Sequence, residues 1–306
     1  MKKIYKFSGA GNDFVVIDGR EGDVSAFREV PRIEALCKQY KTDGLMILGP
    51  ALRQAQGPVG ELVEPQGPAV DFTMEFYNPD GSGGMMCGNG GRCIVAFADY
   101  LGIQPTYRTA LRQAQGPGTE QVPELVEGPA EYLFCAPDGL HTGEILERPD
   151  GSTGSPTDRW IVRIKMIDVQ GITPMLGGYF LNTGTRHFVK FVDDVEQVDV
   201  DAEGKALRWN EAFAPIGTNV NFVHVAPDGL HVRTFEKGVE GETLACGTGL
   251  TACALVAHHA GVPTATAGAY RLRARQDWLS VNFTPGADEK FTDVYLTGPA
   301  RLVEIH

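Results

Sequence analysis

One pattern occurs twice in this chain, beginning at Cys87 and again at Cys246, and it restricts the possible folds more than anything else in the sequence. Cys87-Gly88-Asn89-Gly90 opens a segment that closes at Leu101-Gly102. Cys246-Gly247-Thr248-Gly249 opens one that closes at Ala260-Gly261. Both run fifteen residues from cysteine to closing glycine. In the first, Ile94, Phe97, Ala98 and Leu101 fall at i, i+3, i+4 and i+7, and in the second Leu250, Cys253, Ala254 and Ala257 do the same. That spacing predicts two buried helices. Gly102 and Gly261 stand where a glycine ends a helix, with Pro105 and Pro263 just beyond. Eleven residues before each cysteine is a phenylalanine, Phe76 or Phe235, in a predicted strand. A chain with two strand–turn–Cys-Gly-x-Gly–helix units is expected to fold as two similar halves facing each other.

The rest of the chain is consistent with much β structure. The 38 glycines exceed the usual share of roughly 7% and cluster at turns between short β-like runs. Val70 to Phe76 alternates apolar and polar residues, Trp160 to Met166 nearly so, and Phe222 to Phe235 reads as a hairpin around Pro227-Asp228-Gly229. The octapeptide Ala51 to Pro58 recurs letter for letter at Ala110 to Pro117, and Glu-Leu-Val-Glu follows each copy. These Gln-, Gly- and Pro-rich stretches, at 51–68 and 110–129, are expected to be surface loop inserts.

Length, charge and cysteine usage narrow the function. A chain of 306 residues exceeds a typical domain, so one large or two medium domains are expected. The net charge of −12, without a basic run, argues against nucleic acid or an anionic membrane as partner. No apolar stretch approaches the roughly 20 residues that cross a bilayer, and the expected location is cytoplasmic. There the six cysteines are expected as reactive or buried thiols rather than disulfides, with Cys37, Cys93, Cys135 and Cys253 in the core. The spacings Cys87/Cys93 and Cys246/Cys253 do not suit zinc, so no metal is expected.

Cys87 and Cys246 are the candidate catalytic residues. A cysteine at a helix N-terminus has its thiolate stabilised by unpaired N–H groups and the helix dipole, which lowers its pKa. The glycines that follow let a carboxylate approach the same N–H groups. Two such helix ends meeting across a cleft place a thiol on either side of one carbon. That geometry suits removal of a proton from one face and delivery to the other, a cofactor-free racemisation or epimerisation. A single Cys-Gly-x-Gly before a helix more often marks a small residue in a tight turn. The duplication is what favours catalysis.

The sequence resembles the diaminopimelate epimerase family at three signatures. They are Ser8 to Phe14, then Phe76 to Ser82 leading to Met86 to Cys93, and Phe235 to Gly238 leading to Glu242 to Gly249. Thr297 to Ala300 resembles the closing strand. The resemblance implies an α+β fold of two pseudo-symmetric domains, each a curled β-sheet or barrel around a central helix. Residues 1–168 plus 295–306 would form the half carrying Cys87, and 169–294 the half carrying Cys246. It implies interconversion of L,L- and meso-diaminopimelate, for lysine and peptidoglycan synthesis, without cofactor. It also implies a homodimer with Tyr295 at the dimer contact.

By the same resemblance, Gly88, Asn89, Gly247 and Thr248 would bind the reacting carboxylate through backbone and side-chain donors. Asn12, Asn78, Thr185, Asn219, Glu236 and Lys237 would hold the rest of the substrate, and His187 and Glu236 would tune the thiols. Lys237 stands where the family usually has arginine, and Arg186 is an added cation beside His187. Arg186 is therefore expected to take over the substrate's distal carboxylate. Two other readings fit two facing thiols: a proline or hydroxyproline type racemase, and a two-cysteine redox protein.

Overall fold

A computed structural model describes residues 2–51, 69–84, 86–112, 125–151, 158–264 and 268–306. Four α-helices occur among them: α1 (Val30–Tyr40), α2 (Gly88–Tyr100), α3 (Val200–Arg208) and α4 (Gly247–His259). The two halves are built in the same order. In the first, strand Asn12–Asp18 leads through α1 to its parallel neighbour Gly44–Gly49, which pairs antiparallel with Phe72–Tyr77. In the second, Arg186–Phe191 leads through α3 to its parallel neighbour Asn219–Ala226, which pairs antiparallel with Gly229–Glu236. From the last strand of each series the chain enters the cysteine turn and a central helix, α2 or α4.

The strands curl round those central helices. In the first half Ile4–Gly9, Asn12–Asp18, Gly44–Gly49, Phe72–Tyr77, Leu125–Ala136, Gly139–Glu147, Trp160–Lys165 and the final strand Lys290–Ile305 pair in succession, and the last returns to the first. Every residue of α2 from Gly88 to Ala98 is buried, as are nearly all of α4 from Gly247 to Ala257. The spacing predicts buried helices, and both are buried. Enclosure by a curled sheet buries the helices on nearly every side, the polar Asn89 and Arg92 of α2 included. Gly102 and Gly261 follow them with φ of 75° and 73°, the left-handed region that glycine enters without strain.

The final strand serves both halves. Its residues 295–300 pair with Trp160–Lys165 and 301–305 with the first strand, while 291–297 pair with Trp278–Pro285. Leu296, fully buried in it, reaches the seam where α2 and α4 begin.

Two expectations change. Strand backbone runs through Arg112 and resumes at Leu125, so 110–112 and 125–129 belong to a paired hairpin rather than a loop. Residues 52–68 and 113–124 lie outside the described residues. Cys135 is only half-buried, one residue before the end of strand Leu125–Ala136. Cys37, Cys93 and Cys253 are in the core as expected.

Candidate active site

Cys87 is the N-cap of α2 and Cys246 the N-cap of α4, both with extended backbone. The two helix starts touch through glycine. A Cβ on Gly247 would lie 3.2 Å from the Gly88 Cα, and one on Gly88 would lie 3.5 Å from the Gly247 Cα. Either would also press on the Leu296 side chain, at 3.0 and 2.7 Å respectively. Only residues without side chains let the capping cysteines approach this closely. Cys87 Sγ accepts from the Gly90 N–H at 3.2 Å, and Cys246 Sγ lies 3.5 Å from Thr248 Oγ1.

The thiols are not acidified as the helix ends suggest. Burial pushes both above the ordinary thiol range, and the nearby Glu236 charge adds to the effect. The N–H groups of Gly90 beside Cys87 and of Gly249 beside Cys246 act in the opposite direction without prevailing. The cost of placing a thiolate in a dry seam outweighs the helix dipole. Glu236 is itself raised by burial, with Thr243 Oγ1 donating to its carboxylate at 3.0 Å.

Side chains from both halves bind the seam together. The Asn89 amide nitrogen donates to Asn12 Oδ1 and, at 3.0 Å, to the carbonyl of Ala245, the residue before Cys246. Asn89 Oδ1 accepts from Arg92 Nη2 at 2.9 Å. Arg92 is completely buried and also donates to the carbonyls of Gly88 at 2.9 Å and Pro299 at 3.3 Å. The N-terminal turn fits against this network because residue 9 is glycine: a Cβ there would sit 2.8 Å from the Asn89 carbonyl oxygen.

Beside Cys246, the buried His187 places Nε2 3.0 Å from Thr248 Oγ1 and 2.9 Å from Thr185 Oγ1. Asn219 joins the neighbouring strand ends, donating to the Arg186 carbonyl at 2.9 Å and accepting from the Lys237 backbone N–H at 2.8 Å. Among the described residues no group of three His, Cys, Asp or Glu side chains gathers as a metal site.

Known proteins share this arrangement of two similar halves. The family described as diaminopimelate epimerase matches the chain over residues 4–117 and 179–303. The chain belongs to the diaminopimelate epimerase family. Curated diaminopimelate epimerases include one from Chlorobaculum tepidum, 37% identical over 97% of both chains. Another, from Aquifex aeolicus, is 35% identical over 97% of this chain and 94% of its own. Solved structures share the fold at low identity. A phenazine biosynthesis protein of the PhzF family from Bacillus anthracis superposes with a TM-score of 0.67 at 10% identity, covering 100% and 98% of the two chains. A hydroxyproline epimerase from Agrobacterium vitis gives 0.57 at 14%, covering 100% and 91%.

Against the diaminopimelate epimerase signatures, most candidate residues converge and some do not. Cys87, Gly88, Asn89, Asn12, Cys246, Gly247 and Ala245 meet at the seam. Thr185, His187, Thr248, Asn219 and the Lys237 backbone lie on the Cys246 side, and the Glu236 charge reaches both thiols. Both N–H groups of the Asn89 amide are taken by protein oxygens, so what this residue offers an incoming carboxylate is its backbone N–H. Asn78 closes its own turn, donating to Ser82 Oγ at 3.0 Å. Arg186 does not aim at the site. Strand alternation points it opposite to His187, where it donates to the Phe213 carbonyl at 3.2 Å and lies over the Phe180 ring. Tyr295 is half-buried within the sheet, with Arg163 and Lys165 against its ring. Two residues carry contacts that the sequence left without a role: Arg92, inside a signature, and Asn221, two residues after Asn219 on the same face of its strand.

The buried His187 ring makes a measurable prediction. Burial pushes its pKa down from 6.5 to about 3. Below about 6.5 the unfolded chain takes up a proton that the folded ring refuses. The ring's contribution is therefore complete above that pH and is lost as pH falls toward 3. Urea unfolding at pH 7 and pH 4 should show the wild type losing about 3 kcal/mol more than His187→Gln over that interval. Parallel losses in the two proteins would mean that the ring titrates normally.

Proposed function

We propose that this protein interconverts L,L- and meso-diaminopimelate by two-base proton transfer at the α-carbon, without a cofactor, in lysine and peptidoglycan synthesis. The observation that carries the reading is the contact of two cysteine-capped helix starts through Gly88 and Gly247, in a chain of this family. The reacting carboxylate docks on the N–H groups at both helix ends. One sulfur, as thiolate, takes the α-proton from one face. The other, as thiol, delivers its proton to the opposite face, and the α-carbon is inverted with the protonation of the two sulfurs exchanged. Donors already in place at the carboxylate stabilise the charge that develops on it.

The raised thiol pKa values fit a site charged by its substrate. The distal ammonium of bound diaminopimelate offsets the Glu236 carboxylate, which lowers the cost of a thiolate when the ligand is bound. Asn12, Thr185, Asn219, Glu236 and Lys237 hold the non-reacting end, with Lys237 acting as a point charge. The protein works as a cytoplasmic homodimer meeting at Tyr295, with its domains divided at 1–168 plus 295–306 and 169–294. No helix among the described residues is long and apolar enough to cross a membrane.

Incubation with L,L-diaminopimelate in D₂O tests the reading. Mass spectrometry should show one α-deuterium in newly formed meso product. Exchange with proline or hydroxyproline, and none with diaminopimelate, would assign the sister racemase activity instead.

A further inference from the structure

Asn221 lies fully buried on strand Asn219–Ala226, and its amide has one possible orientation. One end of the amide is 3.1 Å from the carbonyl oxygen of Phe188, which can only accept, so that end is the nitrogen. The other end, Oδ1, accepts from Thr234 Oγ1 at 2.9 Å. The nitrogen's second N–H points at His187 Nδ1, 3.1 Å away. An N–H aimed at Nδ1 requires Nδ1 to accept, so the proton of the neutral ring is on Nε2. Nε2 faces the hydroxyls of Thr185 and Thr248. Once Thr248 Oγ1 accepts from the ring, its own proton is free for the Cys246 sulfur at 3.5 Å.

We infer that Asn221 is a positioning residue that holds His187 as the Nε2–H tautomer, so that a one-way line of donors runs from His187 through Thr248 to the Cys246 sulfur. The line starts from a main-chain carbonyl, which fixes the Asn221 amide and through it the His187 tautomer; the Nε2 proton then faces both Thr185 Oγ1 at 2.9 Å and Thr248 Oγ1 at 3.0 Å, and the line to Cys246 runs through the latter. Gly249 makes room for it, since a Cβ there would lie 2.4 Å from Asn221 Oδ1. The Cys87 sulfur has no such side-chain line among the described residues and accepts from the Gly90 N–H. Sites that are duplicated in sequence thus differ: a hydroxyl donor favours the thiolate at Cys246 alone. The inference rests on the proposed role of Cys246 as an acid/base thiol.

The test reads the ring directly. In protein labelled with ¹⁵N-histidine, long-range proton–nitrogen spectra at neutral pH distinguish a protonated from a bare ring nitrogen. His187→Gln identifies which of the seven histidine signals belongs to residue 187. The expected result is a bare Nδ1 and a protonated Nε2. In Asn221→Asp a carboxylate faces Nδ1 and draws the proton there. The kcat for diaminopimelate should then fall about a hundredfold, with KM within about threefold. Thr234→Val, which removes the hydroxyl gripping Oδ1, should move the spectrum and kcat in the same direction by less, and it serves if the aspartate variant does not fold. A protonated Nδ1 in the wild type overturns the inference, as does a moved proton with unchanged kcat. Because the tautomer is read from nuclei, a wild type with the expected ring and no diaminopimelate exchange overturns the proposed function instead.

Discussion

Cys87→Ala and Cys246→Ala each lower kcat for epimerisation by at least about 10³-fold, in both directions. Inversion needs a group that takes the proton on one face and a group that gives it on the other, so neither thiol substitutes for its partner. The loss should appear in kcat with the protein fully folded. Cys246 is almost completely buried at a helix cap, and trimming its sulfur removes little packing. Cys93→Ala and Cys253→Ala are the controls. Both residues lie within α2 and α4 with no exposure, and removing either sulfur costs about 1 kcal/mol of packing with kcat near that of wild type. The measurement is the initial rate from each epimer, followed by chiral separation of products. Substantial inversion by either of the first two variants would sink the two-thiol mechanism.

What the sequence revealed and what it hid follow a physical rule. Local features were legible because neighbours in the chain determine them. The helix periodicity from Ile94 and Leu250, the closing glycines 102 and 261, and the hairpin at Pro227-Asp228-Gly229 all depend on short spacings. The pairing of two helix starts was legible only because the chain repeats its own pattern. Features set by distant strands were not. The sharing of Lys290–Ile305 between halves depends on partners far apart in the sequence, as does enclosure of α2 and α4. Burial also reversed a local argument: the helix dipole alone predicts acidic thiols, and desolvation makes them weaker acids. Arg186 was misplaced because adjacent residues on a strand face opposite ways, and the inward one is His187. The same alternation, carried two residues on from Asn219, was the one signal that singles out Asn221.

Substituting Gly247 tests whether the touching helix starts set the thiols' spacing or only fill space. A Cβ there meets the Gly88 Cα at 3.2 Å and Leu296 Cδ2 at 3.0 Å, so Gly247→Ala asks its neighbours to yield by a few tenths of an ångström. Gly247→Val adds two methyl groups in the same direction and pushes the helix starts apart by on the order of 1 Å. Reacting groups displaced that far lose about 10²-fold in rate, because the sulfurs no longer flank the α-carbon at transfer distance. The expected series is therefore graded in kcat, with alanine about tenfold below glycine and valine about 10²-fold below. Overpacking should cost about 1–3 kcal/mol of stability in the same order. Thermal melts and kcat measured on the same samples separate the two effects, since a purely structural glycine lowers activity only as far as it lowers the folded fraction. If the valine variant, corrected for that fraction, turns over like the wild type, the spacing of the sulfurs is set elsewhere, and the Arg92–Asn89–Ala245 network becomes the element that fixes it.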